Sequence, residues 1–181
     1  MQERAPNNHA SGNKNQKQRS TAPLVQLVSF HLDGEEYALE ILRVQEIIRM
    51  QDLTRVPNSP NFVEGVINLR GKVIPVVGLR KRFGLAPLPA DKHTRIVVVE
   101  VNGTVVGLVV DSVSEVLRIA ADTIEPPPRL GKVEREYVSG VGKLENRLLL
   151  LLDVDYLLSD SEQGQVGQVT RNAEEETEAH A

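Results

Sequence analysis

Residues 28–49 of this chain read VSFHLDGEEYALEILRVQEIIR, and residues 97–118 read VVVEVNGTVVGLVVDSVSEVLR. The two segments align without a gap at an offset of 69 residues (97 minus 28), so that Glu46 meets Glu115. Most other positions keep their apolar or polar character. A repeat of this length indicates one supersecondary unit that is built twice, so the chain is predicted to form two similar lobes.

The repeat resumes further along the chain. Phe62–Val66 reads FVEGV and matches Tyr137–Val141, which reads YVSGV, at an offset of 75 residues (137 minus 62). We place the two lobes at approximately residues 36–90 and 91–150, with the flanking segments completing them. Features that both copies share are expected to be architecture, and features private to one copy are candidates for function.

Composition argues against several classes of protein. Of the 181 residues 40% are hydrophobic but only 3% aromatic, so the core must be built from Val, Leu and Ile, which favours strands. A net charge of −4 without a basic stripe argues against nucleic acid as a partner. There is no cysteine, and the apolar run Leu148–Leu152 is far shorter than the roughly 20 residues that span a bilayer. We expect a cytoplasmic protein without a secretory signal or direct membrane insertion.

Both ends of the chain are predicted to be disordered tails. Residues 1–22 are polar and carry a charge of +3, from four basic residues and one acid. Residues 160–181 carry six acids against one arginine, a charge of −5. Neither segment has enough apolar surface to offset the entropy lost on ordering. Residues 23–159 are therefore expected to form the single ordered domain.

Four β-hairpins are predicted from their turns. The turn residues are Asp33-Gly34, Arg70-Gly71, Asn102-Gly103 and Glu145-Asn146. The Asp-Gly and Asn-Gly pairs tolerate the positive φ that a two-residue hairpin turn requires. Short strands, regular turns and few helices predict an all-β fold of two small antiparallel barrels with short helical segments.

Three details of this fold are less direct. Residues 41–50 and 111–119 have apolar spacings that fit either a short helix or a bent strand, and we predict a bent strand that can include one helical turn. Pro75 cannot donate a hydrogen bond to a ladder, so we expect its strand at an edge or at a bulge.

Catalytic chemistry is not indicated. The four histidines are scattered without the spacing of a metal-ligand pair, and no nucleophile elbow, phosphate loop or dinucleotide-binding motif occurs. Gly140-Val-Gly142 ends without a third glycine and lies in a predicted strand. We therefore predict no catalytic residue, no metal, no cofactor and no enzymatic activity.

The hairpin tip at Arg70 is the better candidate for function. The aligned position of the second copy holds Glu145, so the basic residue is private to the first copy. Glu46 is the acid expected to pair with Arg70, and the planar guanidinium suits a contact with a partner. A solvated turn is the plain alternative for Arg70, as core packing is for Val44 and Val116.

These residues belong to a longer pattern. Its pieces are Phe30-x-Leu32-x-Gly34-x-Glu36-Tyr37, Val44-Gln-Glu-Ile47, Pro57-x-x-Pro60, Gly65-Val-Ile-Asn-Leu-Arg-Gly71, Val73-Ile-Pro-Val-Val77, Leu79-Arg80, Phe83, Gly107-Leu-Val-Val-Asp111-Ser-Val113 and Leu157-Leu158. Together they resemble the CheW-type chemotaxis coupling proteins over residues 24–159. The most specific pieces are Val-Gln-Glu-Ile and Asn-Leu-Arg-Gly.

The resemblance implies two five-stranded, SH3-like barrels. It also implies an adaptor between the cytoplasmic tip of a methyl-accepting chemoreceptor and the regulatory domain of the histidine kinase CheA. Residues of the family that match Val44, Glu46, Arg70 and Val116 are associated with the receptor-facing groove. The resemblance assigns the kinase-facing surface less directly, and we place Gly65 and Gly107 there, as positions where bulk would disturb that surface.

One departure from the family pattern stands out, because the family usually has Asp where this chain has Gly78. Three other interpretations remain open. The first is an adaptor of the same fold in another chemosensory-type array, governing pili or second-messenger synthesis. A barrel that binds nucleic acid would need exposed aromatic residues and a basic groove. An enzyme is the last.

Overall fold

The computed structural model describes residues 21–127 and 136–180 and contains the predicted hairpins. The turn at Asp33-Gly34 has φ angles of 52° and 80°, and that at Asn102-Gly103 has 47° and 85°. Arg70-Gly71 forms the same kind of turn, with 53° and 84°. Left-handed backbone at both central residues marks the tight turn whose twist suits a two-residue hairpin.

Strands account for nearly half of the described residues. They are β1 (Leu24–Leu32), β2 (Glu35–Glu40), β3 (Val44–Arg49), β4 (Val63–Leu69), β5 (Lys72–Gly78), β6 (Arg95–Val101), β7 (Thr104–Val110), β8 (Ser112–Ala120), β9 (Ile124–Glu125), β10 (Val138–Lys143) and β11 (Leu148–Leu152). The helices are α1 (Leu79–Arg82) and α2 (Asp160–Ala179), and single 3₁₀ turns lie at Ile41–Arg43, Ala121–Thr123 and Val154–Tyr156. Residues 41–49 are thus a helical turn followed by a strand, in line with the prediction of a bent strand.

The two sheets do not follow the predicted lobe boundary. The first sheet has the order β8-β1-β2-β11-β10-β9 and the second β3-β6-β7-β5-β4. The leading hairpin of each repeat copy therefore pairs with the trailing hairpin of the other copy, through the parallel contacts β2–β11 and β5–β7. Residues 95–110 belong with residues 44–78, so a division at residue 90 is wrong. The prediction of antiparallel barrels did not include these two parallel contacts.

Each sheet closes on itself in an SH3-like manner. The edge strands β8 and β9 of the first sheet are separated in the chain only by the turn Ala121–Thr123. In the second sheet the chain leaves β3 and bridges back to β4 through Thr54 and Val66, whose backbone groups exchange hydrogen bonds of 3.0 and 2.8 Å. The first sheet has a sixth, two-residue strand where five were expected. In the second sheet this bridge pairs part of an edge that an open sheet would leave unpaired.

Strands such as β5 and β6 are buried on both faces, which explains their apolar runs, whereas β3 and β8 are partly exposed. One face of the first sheet encloses a cluster that includes Leu27, Leu149 and Leu151. The second sheet encloses a cluster with Ile96 and Val98. The largest cluster lies between the sheets and holds the alternate strand residues. The core is therefore built mainly of Val, Leu and Ile, as the composition indicated, and the cluster between the sheets also contains Phe30, Tyr37, Phe83 and Tyr137.

The segment predicted to be a disordered acidic tail, residues 160–181, contains the helix α2. Ser159 begins it with a capping box, in which its hydroxyl accepts from the Glu162 N–H and the Glu162 carboxylate accepts from the Ser159 N–H. Val166, Val169 and Ala173 then bury one face of the helix in the layer between the sheets. Composition missed the helix because three small apolar residues at helical spacing suffice.

Two other predictions concern the start of the chain and Pro75. The predicted tail at residues 1–22 lies outside the described residues, apart from its last two. The strand that holds Pro75, β5, is not an edge strand, because it lies between β7 and β4. Its parallel pairing with β7 begins only at Val76, so the missing N–H of Pro75 leaves no gap in that ladder.

Candidate functional site

Glu46 and Arg70 form a two-pronged ion pair on the second sheet. Arg70 donates from Nη1 to Glu46 Oε2 at 2.8 Å and from Nη2 to Oε1 at 2.6 Å. The turn that carries Arg70 is held by the Asn68 side chain, whose Oδ1 accepts from the Gly71 N–H at 2.9 Å. The Arg70 side chain is nonetheless 75% exposed. An exposed pair contributes only about 0–1 kcal/mol, so its geometry serves presentation more than stability.

The two valines predicted with this pair lie in different places. Val44 begins β3, opposite Val99, and packs partly buried against the layer between the sheets. Val116 is on β8 of the first sheet and is 58% exposed. The structure thus brings Glu46 and Arg70 into contact, places Val44 on the same strand, and puts Val116 on the other sheet.

The second copy has an arginine pair that the sequence comparison missed. Arg147 lies in the connection 144–147 between β10 and β11 and donates to Glu115, the repeat counterpart of Glu46. Its Nε also lies 3.1 Å from Glu36 Oε2. The glutamate on the strand is therefore paired with an arginine in both copies, although the aligned tip positions hold Arg70 and Glu145. The connection is longer in the second copy, so the equivalent arginine is displaced by two residues from the aligned position.

Gly65 and Gly107 are buried rather than presented on a surface. Gly65 has φ = 151°, and a Cβ there would lie 2.6 Å from the carbonyl oxygen of Thr54, at the bridge that closes the second sheet. A Cβ at Gly107 would lie 2.6 Å from Cγ2 of Ile96, inside the same sheet. At both positions a larger side chain would collide with atoms inside the second barrel.

Gly78 has a physical counterpart in Glu64. A Cβ at Gly78 would lie 2.3 Å from Glu64 Oε1, so this carboxylate occupies the room that a side chain at position 78 would need. Glu64 in turn pairs with Lys81 of α1 at 3.2 Å. In the second copy Asp153 accepts from the Asp155 N–H at 3.0 Å and caps the following turn. The second copy thus has an aspartate that caps a turn, whereas the first copy has Gly78 beside the Glu64–Lys81 ion pair.

The first crossing between the sheets is fixed by Arg43. Its guanidinium donates to both Asp155 oxygens, at 3.1 and 2.5 Å, and to the carbonyl oxygen of Glu100 at 3.1 Å. The hydrogen bonds from Arg43 lower the pKa of Asp155 below its ordinary value, although burial acts in the opposite direction. Residues 41–43 join β2 of the first sheet to β3 of the second, so this contact holds the two sheets together beside the candidate site.

Within 21–127 and 136–180, no group of three or more His, Cys, Asp or Glu side chains is arranged to hold a metal ion. No helix in the same ranges is long and apolar enough to cross a membrane.

The two sheets and their exchanged hairpins define a class of fold, a double SH3-like barrel. Comparison with known proteins gives the family. The sequence model of the CheW-like domain matches residues 26–162, and the chain belongs to that family.

Individual relatives agree with this assignment. The chain is 40% identical over 144 residues to the chemotaxis protein CheW of Klebsiella aerogenes, which covers 79% of this chain and 87% of the relative. It is 35% identical over 140 residues to CheW of Bacillus subtilis, at 77% and 89% coverage. The crystal structure of the scaffolding protein CheW of Thermoanaerobacter tengcongensis matches with a TM-score of 0.71 and 38% identity, covering 76% of this chain and 94% of that one.

Proposed function

We propose that this protein is a non-enzymatic scaffold that couples methyl-accepting chemoreceptors to a CheA-type histidine kinase. The observation that carries the proposal is the Arg70–Glu46 pair, a rigid guanidinium presented on a hairpin tip at 75% exposure. A pair this exposed adds little to stability, so a partner contact is the better reason for its geometry. The names of the relatives, chemotaxis and scaffolding proteins, give the proposal its biological setting.

The receptor tip is proposed to contact Val44, Glu46, Arg70 and Val116. The first three lie on the second sheet and Val116 on the first, so a receptor that touches all four spans both sheets. The kinase regulatory domain is proposed to bind a surface that depends on Gly65 and Gly107. Because both glycines lie inside the second barrel, they act through the stability of the barrel that carries that surface. These partners place the protein at receptor arrays on the cytoplasmic side of the membrane.

The test is binding of a soluble fragment that carries the signalling tip of a chemoreceptor. Arg70→Glu reverses the charge and sets two carboxylates against each other, and we expect binding to fall about tenfold or more with the fold intact. Arg171→Glu, on the exposed face of α2, is the matched charge reversal and should bind normally. Unchanged binding of the Arg70→Glu variant would remove Arg70 from the receptor site.

A charge-swapped double variant separates contact from bracing. Glu46→Arg combined with Arg70→Glu restores the ion pair with its polarity reversed. If Arg70 contacts the receptor, the double variant stays weak, because the guanidinium has moved to the strand. If the arginine serves only to brace the tip, binding returns. The same fragment experiment with receptors of another chemosensory array tests the alternative adaptor role, which the names of the relatives do not favour.

A further inference from the structure

The hairpin tip at Arg70 has an uncommon backbone conformation for its residue type. In the ranges 21–127 and 136–180, the residues other than glycine with a left-handed φ are Asp33, Asn58, Arg70 and Asn102. Asp and Asn adopt this conformation more readily than other residues, because their short polar side chains can bond to nearby backbone groups. Arg70, at φ = 53°, is neither. An arginine held in a less favourable backbone conformation at a hairpin tip points to a role for its side chain.

The two comparable hairpin turns are anchored to distant parts of the fold. The N–H of Asp33 donates to Asp111 Oδ2 at 2.9 Å, at the junction of β7 and β8. The side chain of Asn102 donates from Nδ2 to the carbonyl oxygen of Asp155 at 3.3 Å, in the turn after β11. Each of these turns is therefore fixed by a residue that is remote in the sequence.

The Arg70 turn has a local anchor instead. Two residues before Arg70, the Asn68 side chain accepts from the Gly71 N–H at 2.9 Å through its Oδ1 atom. Among the described residues, and apart from the backbone ladder of its own hairpin, this is the hydrogen bond that holds the backbone of the turn, since the ion pair with Glu46 engages the Arg70 side chain. Asparagine suits this task, because its amide oxygen reaches a backbone N–H a few residues along the chain.

Asn68 is private to the first copy of the repeat. The offset of 75 residues aligns it with Lys143, whose amino group pairs with Glu125 at 2.9 Å. In the hairpins that turn at residues 33–34 and 102–103, the residue in the same place before the turn is His31 or Glu100. The asparagine thus accompanies the exposed arginine.

We propose that Asn68 is a positioning residue of the receptor site, which holds the turn so that the Arg70 guanidinium is directed at the receptor. This inference rests on the proposed function and deepens it, because it assigns a residue that acts through Arg70. A planar guanidinium binds carboxylates in a directional, two-pronged manner, so its orientation affects affinity. A turn that is already ordered also loses less conformational entropy on binding.

The test measures binding of the receptor fragment to Asn68→Ala, with urea unfolding on the same samples to establish that the variant is folded. We expect the dissociation constant to rise about three- to tenfold, because the tip is no longer held in one conformation. Asn61 is an exposed asparagine in the turn before β4, and Asn61→Ala is the matched control that should bind as the wild type does. Asn68→Asp keeps an acceptor oxygen in the same place, so its affinity should match that of the wild type at high ionic strength, where the added charge is screened.

A double variant separates positioning from direct contact. In an Arg70→Ala background there is no guanidinium left to position, so the addition of Asn68→Ala should change the dissociation constant by less than about twofold. A further loss as large as that in the wild-type background would show that Asn68 touches the receptor itself, and would overturn the inference.

The remaining outcomes separate this inference from the function on which it rests. If Asn68→Ala binds as tightly as Asn61→Ala while Arg70→Glu binds weakly, Asn68 does not position the arginine and the scaffold function stands. If Asn68→Asp binds as weakly as Asn68→Ala at high ionic strength, the hydrogen bond from Gly71 is not the cause of the loss, which also contradicts the inference. If the wild-type protein binds no receptor fragment, the proposed function fails and the inference fails with it.

Discussion

Arg80 on α1 grips Asp111 through two hydrogen bonds, from Nε to Oδ1 at 2.8 Å and from Nη2 to Oδ2 at 2.6 Å. Asp111 is the residue at which the chain crosses back from β7 of the second sheet to β8 of the first. Its Oδ2 also accepts from the N–H of Asp33, in the first hairpin turn of the first sheet, at 2.9 Å. The Arg80–Asp111 pair therefore joins the two sheets at their second crossing.

The same junction occurs at the first crossing with its charges exchanged. The offset of 75 places Arg80 on Asp155, and the offset of 69 places Asp111 on Leu42, next to Arg43. Arg43 and Asp155 are the ion pair of the first crossing. Both crossings thus have an arginine–aspartate ion pair, which we call a clamp. At the first crossing the connecting segment supplies the arginine, and at the second it supplies the aspartate. The contact recurs, but the residues at the aligned positions differ, so the sequence alignment did not reveal the second clamp.

The Arg80–Asp111 clamp is expected to make the free energy of unfolding depend on pH. The hydrogen bonds from Arg80 lower the pKa of Asp111 despite the opposing effect of burial. The contribution of Asp111 is thus fully present above the unfolded pKa of about 3.9 and is lost as pH falls through its lower folded value. Asp111→Asn should lower the free energy of unfolding near neutral pH by about 2 kcal/mol and flatten its decline in acid. Urea titrations from neutral to strongly acidic pH measure both effects.

A substitution at Asp52 provides the comparison for Asp111. Asp52 is exposed in the segment after β3, and Asp52→Asn should leave both the free energy of unfolding and its pH dependence near the wild-type values. Equal acid sensitivity of the Asp111→Asn variant and the wild type would show that the clamp does not contribute to acid stability.

The parts of this structure that could be predicted are those specified by neighbouring residues. Turn pairs such as Asn102-Gly103 act locally, and valine-rich apolar runs mark the strands on either side. The exchange of hairpins between the copies is decided by long-range contacts such as Val77 beside Leu108, which leave no local signal. Arg147 was missed for a related reason, because a longer connection lets a displaced residue reach the equivalent glutamate. The Glu46–Arg70 ion pair was predicted correctly from complementary charge.

The two buried glycines yield a prediction that separates folding from kinase contact. Gly65→Ala drives a Cβ against the backbone of Thr54 at a left-handed φ, and Gly107→Ala drives one against Ile96. Each should lower the free energy of unfolding by about 1–3 kcal/mol, as overpacking of a core does. Kinase binding should then fall only in proportion to the loss of folded protein, measured by binding and by urea unfolding on the same samples.

Gly164→Ala is the matched control for the glycine variants. Gly164 lies within α2, where an added Cβ meets nothing within 4 Å, so alanine should raise the free energy of unfolding by about 0.5–1 kcal/mol. Loss of kinase binding by Gly65→Ala at unchanged stability would mean instead that the backbone at Gly65 touches the kinase.

The helix α2 is expected to stabilise the fold through its buried face. Val169 is buried against the layer between the sheets, and Arg82 ties the start of the helix down through two hydrogen bonds to Glu162 at 2.5 and 2.8 Å. Val169→Ala removes two methyl groups from this contact and should lower the free energy of unfolding by about 1.5–3 kcal/mol. Gln165→Ala, on the exposed face of the same helix, should leave it unchanged or slightly raised, since alanine favours helix. Urea unfolding followed by far-ultraviolet circular dichroism measures both variants, and equal midpoints would show that α2 does not contribute to the core.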